Sequence, residues 1–292
     1  KSLRELSRKH PKSPLRLEAE QIIGDHHFDA TELDEAELHY REVLEAKESP
    51  VHDLARFKLG WIRVNQGDHA GALEYFEAVV TSPVPPGASK RGLEVKREAL
   101  LAAIYSYTEV KPGKQALAHF EKLSDSRATY ALALEKLAAR YAVKEQPELA
   151  AAALRRLLGL SPDSELDLER STQLYDLLKA HQLVPAPADV GYLVRAAIAV
   201  RKDSARDDDE RAEALAELET LARDLATRLH LAAQKKNDRR LFAAAADAYQ
   251  VYLSLFRPPA QLDGVMSNRA DALYAARRFP EAARQFEALA QR

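Results

Sequence analysis

The 292-residue chain carries 43 basic and 45 acidic side chains, a net charge of −2, so it lacks the positive excess that recruits nucleic acid or anionic lipid. It has no cysteine, which excludes disulfides, thiolate metal sites and cysteine nucleophiles and leaves the compartment open. Glycines number only 10, no strand-like alternation persists, and alanine, leucine, glutamate and arginine dominate; such strong helix formers read as an all-α chain.

The opening KSLRELSRKHP has neither an initiator methionine nor a signal-peptide core, and the segment is expected to be a fragment of a longer protein. No apolar run approaches the ~18 residues of a membrane span. From there one pattern repeats: an alanine, an aromatic or leucine four residues on, and an aliphatic or aromatic residue three beyond. A further residue, small in five cases of six, stands twelve before each alanine. The first unit reads Gly24 with Ala36–Tyr40–Val43, and the second reads Gly60 with Ala72–Phe76–Val79 around the turn Gln66-Gly67-Asp68. An inserted loop, TSPVPPGASKRG over 81–92, precedes Ile104, the turn Lys111-Pro112-Gly113 and Ala116–Phe120–Leu123. Ala138 with Ala150–Leu154–Leu157 forms the fourth unit.

The next interval between key alanines, Ala150 to Ala245, is 95 residues and too long for one unit. It is predicted to hold a degenerate hairpin over 165–203, turning at Pro185 and Pro187, and then a lengthened helix. That helix would start at Asp207-Asp208-Asp209-Glu210, where carboxylates suit a helix N-terminus, and run to the basic turn Lys235–Arg240. Ala233 with Ala245–Tyr249–Tyr252, and Ala270 with Ala282–Phe286–Leu289, complete the series. All 14 prolines, among them Pro11, Pro85, Pro86 and Pro162, fall where a helix should begin or end. Residues four and seven apart share one helix face, and a small residue in each of two helices lets their axes approach. The repeating unit is therefore a helical hairpin, and several in a row make a solenoid.

These residues resemble the tetratricopeptide repeat (TPR) family. The fullest match is LGWIRVNQGDHAGALEYFEAVV, through Leu59, Gly60, Gly67, Ala72, Phe76 and Val79. The fourth unit matches through Leu137, Ala138, Tyr141, Ala150, Leu154, Leu157 and Pro162. Arg63 stands where the family usually has tyrosine, and His69 where it usually has tyrosine or phenylalanine; both bear on the packing of that hairpin. The resemblance implies a right-handed α-solenoid of about seven hairpins: regular repeats over 1–160, a degenerate hairpin over 161–206 and further repeats over 207–292, forming one superhelical domain. RKHPKSPLRLEAEQIIGDHHF and ESPVHDLARFKLGW are also similar to linkers of bacterial extracytoplasmic members of the family, which implies a cell-envelope or periplasmic setting.

In that family the first helices of successive hairpins line a concave groove that binds protein or peptide partners. Carried over by position, the groove would present Gln21, Asp25, Phe28 and Asp29, then Phe57, Trp61 and Asn65, then Leu101, Tyr105 and Glu109. Phe57 and Trp61, four apart, would form one aromatic ledge beside an acidic end, suiting a basic or amphipathic helix. The family's lysine-and-asparagine carboxylate clamp is missing, its positions holding Gln21, Asp25, Phe57 and Trp61. His26 and His27 point about 100° apart on a helix and read as ordinary core or surface residues, so no metal or cofactor is expected. No H-E-x-x-H, G-x-S-x-G or phosphate-binding glycine loop occurs. Lys235–Arg240 and Arg201-Lys202 read as solvated helix ends that complement C-terminal dipoles. The expectation is a non-enzymatic interaction scaffold in a multiprotein bacterial assembly, without nucleic acid or a membrane span. The alternatives are a regulatory domain of a larger enzyme or sensor, and a subunit that self-assembles through uncapped solenoid ends.

Overall fold

The structure, a computed structural model, describes residues 5, 9–10, 12–46, 49–83, 90–160 and 166–292. Pro11, Pro85, Pro86, Gly87 and Pro162, most of the inserted loop and most of the N-terminal opening lie outside these residues. The described residues form helices joined by turns, with no strand among them. They divide into two compact units, one running through Lys144 and the other starting at Glu145. Each is an all-α stack of helical hairpins.

In the first unit, α1 (Arg16–Asp29) pairs with α2 (Leu33–Glu45), and α3 (His52–Asn65) with α4 (His69–Val80). Then come α5 (Lys90–Val110), a 3-10 turn at Gly113–Gln115, α6 (Ala116–Leu123) and α7 (Arg127–Val143). Successive helices pack together from α1 to α5, while α3 also packs on α5 and α5 on α7. First helices thus neighbour first helices, as a hairpin stack requires.

The small-residue rule has a direct steric cause. A Cβ added at Gly24 would sit 2.6 Å from Cε1 of Tyr40, and one at Gly60 would sit 2.5 Å from Cε1 of Phe76. Each aromatic ring therefore occupies the space that a side chain on the facing helix would fill. Ala36, Tyr40, Val43, Ala72, Phe76 and Val79 are all fully buried. In the third hairpin the small position holds Ile104, also fully buried. There the eight-residue α6 packs on α7 rather than closely against α5, because the isoleucine holds the two axes apart.

The departures at Arg63 and His69 are compensated. Arg63 donates to Glu37 of α2 at 2.7 and 3.3 Å, so an ion pair ties the hairpins together, and the His69 ring stands edge-on to Tyr105 at 5.6 Å. The insertion is shorter than expected, because Lys90, Arg91 and Gly92 already belong to α5; one glycine among helix formers does not stop a helix.

The second unit runs α8 (Pro147–Leu160), α9 (Asp167–Ala180), α10 (Pro187–Lys202), α11 (Asp208–Lys236), α12 (Arg239–Leu253), α13 (Pro259–Ala275) and α14 (Phe279–Ala290). Each helix packs on the next, and α10 also packs on α12. The expected fourth repeat falls across the division, with Ala138 and Tyr141 buried in α7, and Ala150, Leu154 and Leu157 buried in α8. The degenerate hairpin is α9 and α10. Asp189, 1% exposed near the start of α10, accepts from Arg155 of α8 at 2.8 and 2.7 Å and from the Ala186 backbone N–H at 2.8 Å. The lengthened helix is the 29-residue α11, capped by the Asp207 carboxylate, which accepts from Glu210 N at 2.8 Å.

Asn237, in the left-handed region at φ 46°, ends α11. Lys235 and Lys236 complement its C-terminal end as expected, whereas Arg239 and Arg240 are the first residues of α12. Phe286 departs from its series at 43% exposed against 0% for Tyr40, Phe76, Phe120 and Tyr249; among the described residues α14 packs chiefly on α13.

His230 of α11 is buried 3.4 Å from the Tyr249 hydroxyl and edge-on to Phe242 and Tyr249. Burial pushes its imidazolium below the usual histidine range, and the Asp271 charge opposes this only in part. The folded state then holds fewer protons than the unfolded chain. The stabilisation is complete above the ordinary value of 6.5 and is lost as pH falls through the lower folded value. Melting of the chain between pH 7 and pH 5 should therefore shift downward, and His230→Gln should flatten that dependence; an equally steep variant curve refutes the assignment.

Glycine substitutions separate packing from helix propensity. Gly60→Ala gains about 1 kcal/mol of helix propensity but forces Phe76 aside, so a net loss of about 1–3 kcal/mol in urea unfolding is expected. Gly264→Ala, where an added Cβ meets nothing within 4 Å, should raise stability by up to about 1 kcal/mol.

Candidate functional site

Phe57 and Trp61 occupy adjacent turns of α3, so their rings share one face. They stand 6.2 Å apart and perpendicular, and both lean on Phe76 of α4, at 5.8 and 5.6 Å. The expected ledge thus exists with its inner edges anchored in the core and both residues half-buried. Asn65, exposed one turn on, donates from Nδ2 to the Trp61 carbonyl at 2.8 Å.

On α1 the geometry differs from expectation. Gln21 is only 2% exposed and donates to Asp25 Oδ1 at 3.0 Å. Asp25 also accepts from the Tyr40 hydroxyl at 2.8 Å and lies 3.8 Å from Lys58 Nζ of α3. Gln21 is thereby buried with its Nε2 on Asp25, while its Oε1 has no hydrogen-bond partner among the described residues. Burial, and then the hydrogen bond to Asp25, push the Tyr40 phenol far above its usual value. Phe28 is half-buried, with Lys58 Nζ 4.5 Å from its ring centroid; Asp29 is exposed.

On α5, Leu101 is half-buried. Tyr105 lies under the Arg140 guanidinium of α7 at 4.4 Å. Glu109 accepts from Arg140 and, at 2.8 Å, from Lys144. The Lys144 hydrogen bond outweighs partial burial and, with Arg140, holds the Glu109 carboxyl below the usual range.

The face therefore has a different electrostatic character from that expected. Asp25 is matched by Lys58 and Glu109 by Arg140 and Lys144 within the unit, while Asp29 keeps the α1 end acidic. Sequence reasoning missed those three cations. Arg140 and Lys144 stand four apart on the fourth first helix, and continuing the positional carry-over one unit further would have reached them. Lys58 had no such signal, because its role depends on how close α1 comes to α3.

His27 is buried, its Nδ1 2.5 Å from Glu32 Oε2 and its ring stacked 5.5 Å from His39; His26 is exposed. Among the described residues no group of three or more His, Asp or Glu side chains could hold a metal ion.

No protein-family model matches the chain, and no curated protein matches it. Among solved structures it is similar to the apo form of the quorum sensor NprR from B. thuringiensis, with 14% identity and a TM-score of 0.37 over 99% of this chain and 80% of that one.

The Arg140 stack is directly testable. Arg140→Lys keeps the charge but removes the planar guanidinium from Tyr105, and a loss of about 0.5–1 kcal/mol in urea unfolding is expected. An unchanged midpoint means that the stack does not hold the ring.

Proposed function

We propose that the chain is a non-enzymatic interaction scaffold whose first-helix face in the first unit takes a peptide or helical segment of a protein partner. The observation that carries this reading is the set of partly exposed rings, Phe57, Trp61 and Tyr105, held on successive first helices by Phe76 and Arg140. Anchored aromatics lose little conformational freedom on binding and are enriched among hot spots. An amphipathic helix would lay its apolar side on them. Asp25, Lys58, Glu109, Arg140 and Lys144 serve as fixings for this face, which gives them a structural use without any catalytic step. The interiors of the hairpins supply shape, and the few exposed first-helix positions supply specificity.

The cell-envelope setting in a bacterial assembly remains part of the proposal and rests on the N-terminal proline-serine linker pattern alone. No helix among the described residues is long and apolar enough to cross a membrane. Fractionation of cells making a tagged chain tests the setting, and recovery with the cytoplasm overturns it. One observation favours a second reading as a self-assembling subunit: Tyr274, Phe279 and Phe286 are 63%, 52% and 43% exposed on the last hairpin. Concentration-dependent light scattering that disappears in Phe279→Ser/Phe286→Ser would support it.

The main test compares wild type with Phe57→Ser/Trp61→Ser/Tyr105→Ser, checked for folding by circular dichroism, in cross-linked affinity capture from cells that make the chain. A partner held by wild type and lost by the variant is expected. Trp61 is the sole tryptophan, so the captured partner's binding segment should also change its emission on titration. Equal capture with unaltered emission refutes the site.

A further inference from the structure

A second surface lies in the second unit, where the turns of its last two hairpins meet. Arg239 Nε, at the start of α12, donates to the Ala276 carbonyl at the end of α13, at 3.0 Å. Arg278, the N-cap of α14, reaches back to Asp247 of α12 at 2.6 Å. These links bring the two hairpin tips together around an open cleft of about 670 Å³ lined by Asp238, Arg239, Arg240, Ala243, Ala276 and Arg278. Arg277 lies between the lining residues Ala276 and Arg278 in the chain, and Lys235 and Lys236 stand shortly before Asp238. Three arginines and one aspartate thus line the cleft, although the chain as a whole is slightly acidic.

Arg239 and Arg240 open α12, and Arg277 and Arg278 lie between the end of α13 and the start of α14. Arg239 serves the C-terminal end of α13 through the Ala276 carbonyl. Positive charge at a helix N-terminus is opposed by the helix dipole, so Arg240, which has no such acceptor among the described residues, works against its own helix. The carboxylates present are already engaged: Asp238 caps α12 by accepting from Arg240 N at 2.7 Å, while Asp247 and Glu281 hold Arg278. Arg240, Arg277, Lys235 and Lys236 have no ion pair or side-chain hydrogen bond among the described residues.

We propose that this cleft is a docking site for an acidic peptide segment, distinct from the aromatic face of the first unit. Three arginines against the single carboxylate of Asp238 give its lining a positive charge, and arginine matches a carboxylate in two parallel hydrogen bonds. Ala243 and Ala276 leave room for a side-chain stem between the cations. A nucleic-acid backbone fits less well, because its closely spaced phosphates would meet Asp238 in the lining, whereas a peptide places its carboxylates intermittently.

The test is fluorescence anisotropy of a fluorescein-labelled peptide of alternating glutamate and alanine with the full chain. Saturable binding that weakens with salt is expected. Arg240→Glu/Arg277→Glu should bind at least about tenfold more weakly, with Arg240→Gln/Arg277→Gln as the milder variant should the reversal fail to fold. Arg201→Glu/Lys202→Glu, which changes net charge equally on another exposed basic pair, should bind like wild type. So should Phe57→Ser/Trp61→Ser/Tyr105→Ser, which separates this site from the first. No saturable binding, equal weakening in both charge-reversed proteins, or tighter binding of a single-stranded oligonucleotide of equal charge would overturn the proposal.

Discussion

The close seating of an aromatic ring against a glycine on the facing helix governs the first two hairpins. With Tyr40 over Gly24 and Phe76 over Gly60 at distances that leave no space for a methyl group, the two helix axes are fixed by shape rather than by hydrogen bonds. That spacing decides which residues face inward. Phe76 fills the hairpin interior and still presents an edge to Phe57 and Trp61, so the same ring that closes the core also positions the exposed aromatics. Where the small residue is replaced by Ile104, the second helix packs on α7 as well, while His119 and Phe120 keep their ring contacts with Tyr107 of α5. The repeat tolerates this because each helix has more than one neighbour.

Charge plays a second, subordinate part. In the first unit, ion pairs connect elements that side-chain shape alone would leave loosely related: Arg63 to Glu37, Lys58 to Asp25, and Arg140 with Lys144 to Glu109. Partly exposed pairs of this kind stabilise modestly, but they are directional and hold particular rings in place. The Arg140 guanidinium does both, pairing with Glu109 and covering Tyr105. Such a face keeps its apolar surface ordered while losing most of its net charge, which moves the expected partner from a basic helix toward an amphipathic one.

The second unit uses charge differently. Its 29-residue α11 begins at a carboxylate cap and ends at two lysines, following the helix dipole at both ends. In the turns after it Arg239 binds the C-terminal carbonyl of α13 and Arg278 pairs with Asp247 and Glu281, whereas Arg240 opens α12 unpaired among the described residues. Inside the unit, Asp189 and Arg155 show the usual compensation for a buried carboxylate, with every hydrogen-bonding direction toward the α8–α10 contact used. The contrast between a satisfied interior pair and unpaired cations at the hairpin tips marks the tips as an outward-facing feature.

Read alone, the sequence determined the helical hairpins. The Ala36, Ala72, Ala116, Ala150, Ala245 and Ala282 series, the Asp207 start and the prolines at helix openings are local signals, fixed by the 3.6-residue period and by the missing N–H of proline. Helices α9, α10 and α11 lie over the stretches so marked for a degenerate hairpin and a lengthened helix. Tertiary packing decided which of the marked positions stay available. Gln21 is buried while Asp25, half-exposed, is tied to the Tyr40 hydroxyl, and Phe286 stays outside on α14, which packs chiefly on α13 among the described residues. Glu109 is neutralised by residues 31 and 35 positions away. Periodicity reports which face of a helix a residue occupies, whereas exposure and charge at that face depend on what the rest of the chain brings against it. No local pattern records that long-range placement.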